Sequence, residues 1–189
     1  MSDNKKSFRA EMFARVRELD NDYKLSASNE IQRLVKDLPE FRKASFVFTY
    51  VSVNNEPNTY GIIAAALNQG KRVCVPKCYG KGRMELREIT SLSDLRPGFY
   101  NIPEPKDSCP YIRSDQPDLC IIPAISCSHS GLRIGHGAGY YDRFLQDVSA
   151  PFIALCFEKM TSEEIPVEPH DITMDMVITE NGIFGKQKM

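Results

Sequence analysis

The residues best suited to chemistry in this 189-residue chain lie close together, in Gly131-Leu132-Arg133-Ile134-Gly135-His136-Gly137-Ala138-Gly139-Tyr140-Tyr141-Asp142-Arg143. Four glycines fall within the nine positions from Gly131 to Gly139. Glycine tolerates positive φ and lets a ligand approach bare backbone, so such a loop can aim successive N–H groups at phosphate oxygens. Around it stand an arginine fork for phosphate (Arg133), a carboxylate for a metal ion (Asp142) and two aromatic faces for a flat ring (Tyr140 and Tyr141). The stretch from Tyr140 onward reads as a helix, whose N-terminus would add to an anion site. No Gly-Lys-Ser/Thr closes the loop, and glycines at 135, 137 and 139 do not make the dinucleotide-binding fingerprint. The glycines alone would serve equally to bend the chain. With their flanking residues they point to a site for a phosphorylated nucleotide.

Other residues join this set with less definition. Lys5, Lys6 and Arg9 crowd the start of an opening helix, where positive charge opposes the helix dipole and gains from a nearby anion, although a solvated face fits them as well. Glu56 follows one strand-like run and Lys77 ends another, and loops at the carboxyl ends of parallel strands are where α/β sheets bind ligands. Asp171 and Asp175 precede the last strand-like run. His129, His136 and His170 show no ligand spacing, and nothing completes a zinc set around Cys74 and Cys78.

The elements that must position these residues follow from periodicity. Phe8, Met12, Val16 and Leu19 predict an amphipathic helix over Asn4 to Leu19. A second helix, with Ser28 as a possible cap, carries Ile31, Leu34, Val35 and Leu38 on its apolar face and stops at Pro39. Ser45–Val51, Arg72–Pro76, Leu119–Pro123, Phe152–Cys156 and Met176–Thr179 read as buried strands, with Met84–Ile89 as an edge strand. A helix over Thr59–Gln69 makes a βαβ unit of the first two. The proline-rich segment Leu95–Gln116 reads as an ordered loop or lid. The expected architecture is a three-layer α/β/α arrangement around a mostly parallel central sheet, as a single domain over residues 1–189.

Composition narrows the partners. Charged residues make up 26% of the chain and the net charge is -1, which argues against nucleic acid or an anionic membrane as a general partner. Nothing near Met1 reads as a signal peptide or membrane span, and Cys74, Cys120 and Cys156 sit in apolar runs that suit reduced core thiols. A cytoplasmic protein is expected.

The run Arg133 to Arg143 closely resembles the Arg-Leu-Gly-x-Gly-x-Gly-Tyr-Tyr-Asp-Arg signature of the 5-formyltetrahydrofolate cyclo-ligases, also called methenyltetrahydrofolate synthetases. Three more landmarks of that family stand in order: a basic N-terminal helix, a Glu-containing turn after the first strand and a late Asp before the last. The resemblance implies ATP contacts at Lys5, Lys6, Ser7, Phe8, Arg9, Arg133, Ile134, Gly135, His136, Gly137, Ala138, Gly139, Tyr140 and Tyr141. It implies folate contacts at Val51, Glu56, His136, Gly137, Ala138, Gly139 and Tyr140, with Mg²⁺ at Asp142 and Asp175 and catalytic roles for Arg133 and Asp142. The implied reaction is ATP-dependent closure of 5-formyltetrahydrofolate to 5,10-methenyltetrahydrofolate, with ATP and this folate as the partners, and a monomer is compatible with the sequence. Family members often carry Lys or Arg at the position of Lys77, whereas Glu104-Pro105 matches a family pair to which no role is assigned. Pro57-Asn58 and Cys127-Ser128 depart from the family pattern. Another ATP-dependent ligase or kinase, or a binding module without turnover, are the alternatives. Dependence of ADP release on the folate, and the absorbance of the methenyl product, separate them.

Overall fold

The computed structural model describes residues 3–79, 83–98, 102–146, 148–169 and 171–185, so His170 and part of the Leu95–Gln116 segment lie outside the described residues. The opening helix α1 (Asp3–Glu18) buries Met12 and Val16, as the apolar spacing predicts. Helix α2 (Asn21–Asp37) starts earlier than expected, because Asp20 caps it by accepting the Asp22 N–H at 2.6 Å. Ser28 is therefore no cap. It is buried inside α2, and its hydroxyl accepts the Asn58 N–H at 3.1 Å, tying the helix to the loop that carries Glu56. Tyr23 and Ala27, in the first turns of α2, extend the apolar row of Ile31 and Val35 back toward this start. Pro39 opens a short helix, α3 (Pro39–Lys43), consistent with the tolerance of proline in a first turn.

The chain continues through β1 (Phe46–Thr49), α4 (Tyr60–Asn68), β2 (Arg72–Cys78), β3 (Met84–Ile89), β4 (Leu95–Pro97), β5 (Pro103–Pro105), β6 (Tyr111–Ile112) and β7 (Leu119–Pro123). It then forms β8 (Ser126–Cys127), β9 (Arg133–Ile134), α5 (Tyr140–Leu145), β10 (Phe152–Leu155), β11 (Met176–Thr179) and β12 (Gly182–Gly185). Eight strands form one sheet in the order β12-β11-β10-β7-β1-β2-β3-β6. The strands from β11 to β2 are mutually parallel, and antiparallel pairings add β12 at one edge and β3 then β6 at the other, so Met84–Ile89, expected as an edge strand, is covered by β6. Every residue of β1, β7 and β10 is buried, so both faces of the central sheet are covered, giving the three-layer α/β/α arrangement. No described helix is long and apolar enough to cross a membrane.

The Leu95–Gln116 segment is more regular than a loop. Strand β4 pairs with β5, and β6 extends the main sheet on β3, positions where prolines flanking an edge are tolerated.

Two features of this fold position the site. The order runs from β1 to β2 on one side and from β7 to β10 and β11 on the other, so β1 and β7 flank a topological switch point, where the carboxyl ends of parallel strands leave a crevice. Phe48 of β1, fully buried, packs its ring 4.8 Å from Phe144 and 6.4 Å from Tyr141, which sets α5 against the sheet just after the glycine loop. Burial of a phenylalanine of this kind contributes about 2–3 kcal/mol.

Candidate active site

The loops after β1 and β7 meet at the switch point and enclose a cavity of about 440 Å³. The first loop is braced throughout. Thr59 donates its hydroxyl to Tyr50 O at 2.8 Å and accepts the Ser52 N–H at 3.1 Å, while Ser52 accepts the Thr59 N–H at 3.0 Å. Tyr50 donates to Pro57 O at 2.8 Å, so Pro57, a departure from the family pattern, is built into the turn. Thr59 occupies the first-cap position of α4 without capping it; Asn58 does so instead, accepting the Tyr60 N–H at 2.9 Å.

Glu56 is held by this turn, its Oε2 accepting the Val53 N–H at 2.9 Å. Its side chain is only 10% exposed, and its Oε1 lies 3.6 Å from His136 Nε2. Burial pushes its carboxyl up to about 7, against a smaller lowering by the Val53 hydrogen bond. The His136 ring is pushed below its usual value, first by burial and then by the nearby Arg133 and Arg9 cations. Tyr50 and Tyr141 stay protonated, since burial raises both phenols well above their normal range.

The second loop supplies the cation. Arg133 is 8% exposed and donates to Pro123 O at 3.0 Å and to Asp142 Oδ1 at 2.6 Å. Its Nε is buried with no hydrogen-bond partner among the described residues. Gly135, His136, Gly137, Ala138 and Gly139 line the cavity, and their backbone N–H groups donate no hydrogen bond among the described residues. Gly135 must be small, because a Cβ there would meet Arg133 Nη1 at 2.7 Å. Helix α5 has only six residues, so its dipole would add little to the anion site expected from the sequence.

The structure brings together Val51, Glu56, Arg133, Tyr140, Tyr141, Asp142 and the glycine loop around this cavity. Ile134 lies behind it, buried in β9. Helix α1 approaches the outside of the loop: Arg9 Nε donates to Gly135 O at 2.8 Å, and the Phe13 and His136 rings are 5.7 Å apart. The rest of the basic cluster is placed otherwise. Lys5 is buried and paired with Glu168 at 3.0 Å and Asp171 at 2.5 Å, Phe8 packs against the core, and Lys6 and Ser7 are exposed; none of these four lines the cavity. The ammonium of Lys5 thus neutralises two carboxylates of the chain itself.

Lys77 also turns away. It donates to Pro105 O at 3.1 Å and Asp107 Oδ1 at 2.5 Å, whereas its neighbours Pro76 and Cys78 face the cavity, as strand alternation requires.

Asp175 is not brought to Asp142. Its Oδ2 accepts the Phe152 N–H at 2.9 Å, at the amino ends of β10 and β11, whereas Arg133 and Asp142 sit at the carboxyl end of β7, level with Pro123. Phe152 pairs with Cys120 and Leu155 with Pro123, so the two aspartates are separated by the length of these strands, about 10 Å. They cannot share one ion, and no cluster of three His, Cys, Asp or Glu among the described residues could hold a metal.

Tyr50, Glu104 and Cys78 are wall residues without an assigned role from the sequence. Buried Glu104 accepts the Cys78 N–H at 3.2 Å, linking β5 to β2. The Glu104-Pro105 pair signals it, but only the pairing of β5 shows where it points.

These features define an α/β protein in which a buried carboxylate and an arginine-backed glycine loop face one cavity at the switch point of a parallel sheet. Residues 1–180 match the 5-formyltetrahydrofolate cyclo-ligase family, and the chain belongs to that family. It is an enzyme of the cyclo-ligase class. It is 27% identical over 190 residues to a 5-formyltetrahydrofolate cyclo-ligase of Mus musculus, covering 94% of each chain. It is 32% identical over 154 residues to a probable 5-formyltetrahydrofolate cyclo-ligase of Caenorhabditis elegans, covering 74% of this chain and 75% of the relative. The fold matches the NMR structure of Aquifex aeolicus 5,10-methenyltetrahydrofolate synthetase with a TM-score of 0.87 at 24% identity, covering 98% of this chain and 94% of the other.

Proposed function

We propose that this enzyme uses ATP to close 5-formyltetrahydrofolate to 5,10-methenyltetrahydrofolate, releasing ADP and phosphate, in the cytoplasm. The observation that carries the reading is the joint lining of one cavity by Glu56, read as the folate side, and by Arg133 with glycine-loop N–H groups that have no partner among the described residues, read as the phosphate side. A formyl oxygen leaves poorly until it is phosphorylated. The protein's task is then to hold the transferring phosphate in line and to stabilise its charge. Arg133 meets that charge from a site already fixed by Pro123 O and Asp142. Tyr140, Tyr141 and Val51 supply flat or apolar wall for the ring systems.

The residues present fit a magnesium ion at Asp142 but not at Asp175. The Asp142 side chain is 40% exposed with one oxygen on Arg133, and magnesium commonly takes one or two carboxylates with water and phosphate oxygens. Bound there, the ion would screen phosphate charge. Asp142→Asn is expected to raise the Mg²⁺ concentration for half-maximal activity at least roughly tenfold. Asp175→Ala is expected to lower Tm by about 2–4 °C through loss of the Phe152 hydrogen bond, with an unchanged Mg²⁺ midpoint. An equal midpoint shift in both variants would return Asp175 to the metal site.

The defining assay follows methenyl absorbance and ADP together in purified protein with ATP and Mg²⁺. One ADP per product is expected. Product formed as fast without ATP, or ADP released without the folate, would overturn the reading.

A further inference from the structure

Cyclisation moves a proton. When N10 of the folate bonds to the phosphorylated formyl carbon, the carbon–nitrogen π pair shifts to N5 and N10 must lose its proton. When the C–O bond then breaks, its pair leaves with the phosphate, which must gain a proton to depart as the dianion. ATP and substrate balance ADP, phosphate dianion and cationic product without a proton from water. One proton therefore travels from N10 to a phosphate oxygen inside the cavity.

The groups facing that cavity are few. Arg133 is permanently charged, and Asp142 accepts from it at 2.6 Å. Glu104 lies toward β2 and accepts the Cys78 N–H. The Tyr50 hydroxyl is committed to Pro57 O, Tyr141 is buried and stays protonated, burial pushes the Cys78 thiol up to about 11, and Tyr140 lines the cavity from the start of α5. Lys24 of α2 reaches Asn55 at 3.1 Å in the same turn, and Arg9 of α1 lies against Gly135 and Gly137. Glu56 is different: one carboxyl oxygen is tied to the Val53 N–H, and the other is 3.6 Å from the neutral ring of His136.

We propose that Glu56 is the proton carrier of this step: its Oε1 takes the N10 proton as the C–N bond forms and returns it to the departing phosphate oxygen, with His136 as a positioning residue beside it. The inference rests on the cyclisation reading of the site. A group that must first accept and then donate near neutral pH works best with a proton affinity in that range, and burial holds Glu56 at about 7. His136 contributes by being neutral, because a cation at that distance would stabilise the carboxylate and weaken its hold on the proton.

The test is rapid-quench kinetics at saturating ATP and 5-formyltetrahydrofolate, with ADP and methenyl product measured separately across pH 5.5 to 8.5, a span of about 1.5 pH units either side of neutral. In the wild type, kcat should fall below about pH 7 as Glu56 becomes protonated. In Glu56→Gln, kcat should drop roughly 100- to 10,000-fold and lose that limb, while ADP still appears in a first-turnover burst that outruns product. Glu56→Asp should keep a displaced limb. His136→Gln, neutral like the native ring, should leave the limb in place, whereas His136→Lys should move it to lower pH.

Folding is checked independently. Because the folded-state pKa of Glu56 is raised, its destabilisation is absent at low pH and grows as pH rises through about 7, so Glu56→Gln should melt no lower than wild type at pH 8. Coupled loss of ADP and product in Glu56→Gln, recovered by more folate, or an unchanged acidic limb, would reduce Glu56 to a binding residue and overturn the proposal. Failure of the wild type to make methenyl product would instead remove the cyclisation reading itself.

Discussion

Arg133→Met is expected to lower kcat/KM by roughly a hundred- to a thousandfold, the loss typical when one preorganised donor is taken from a developing negative charge. The guanidinium is 8% exposed, anchored by Pro123 O and Asp142, with its Nε unpaired among the described residues, so its position is set before any ligand arrives. Arg133→Lys should recover little. It keeps the charge but loses the planar fork that reaches the strand end and the aspartate together. Steady-state kinetics beside a melting curve decide the matter. If either variant melts lower yet keeps wild-type kcat/KM, Arg133 only braces the loop and the phosphate must be met elsewhere.

Gly137→Ala is the second substitution with a large expected effect. Gly137 has φ +89°, which L side chains rarely adopt, and a Cβ there would lie 3.1 Å from Arg9 Cζ. Gly70, at φ +73° with nothing within 4 Å of an added Cβ, carries comparable strain away from the cavity. Each substitution should cost about 1–2 kcal/mol of stability through the left-handed backbone. Only Gly137→Ala should raise the KM for ATP, by tenfold or more, because relief of its contact with Arg9 moves the N–H groups that line the cavity. Matching ATP dependence in the two variants would show that the loop has a conformational role and no part in holding phosphate.

The same contrast between local pattern and spatial neighbour explains what was legible beforehand. Strands β7 and β11 fall where apolar runs predict them, because burial on both faces imposes continuous hydrophobicity. The start of α2 was misplaced because Ser28 competes as a cap with Asp20, although Tyr23 and Ala27 continue the apolar row of Ile31 and Val35 at i, i+4 spacing. Lys5 reads as an anion ligand when its partners are unseen. Glu168 and Asp171, more than 160 residues away, neutralise it in the fold.

What the sequence determined by itself is local chemistry: the spacing of Arg133, three glycines and Asp142 within ten residues needs no distant partner to suggest a phosphate loop, and it carries the family resemblance. What only the tertiary structure decided is adjacency. The order β10-β7-β1-β2 sets Glu56 beside His136 at one switch point and leaves Asp175 at the opposite end of its strands. Strand order depends on which faces bury together in the whole sheet, and that information is spread over every core residue, whereas a motif is contained in its own few positions.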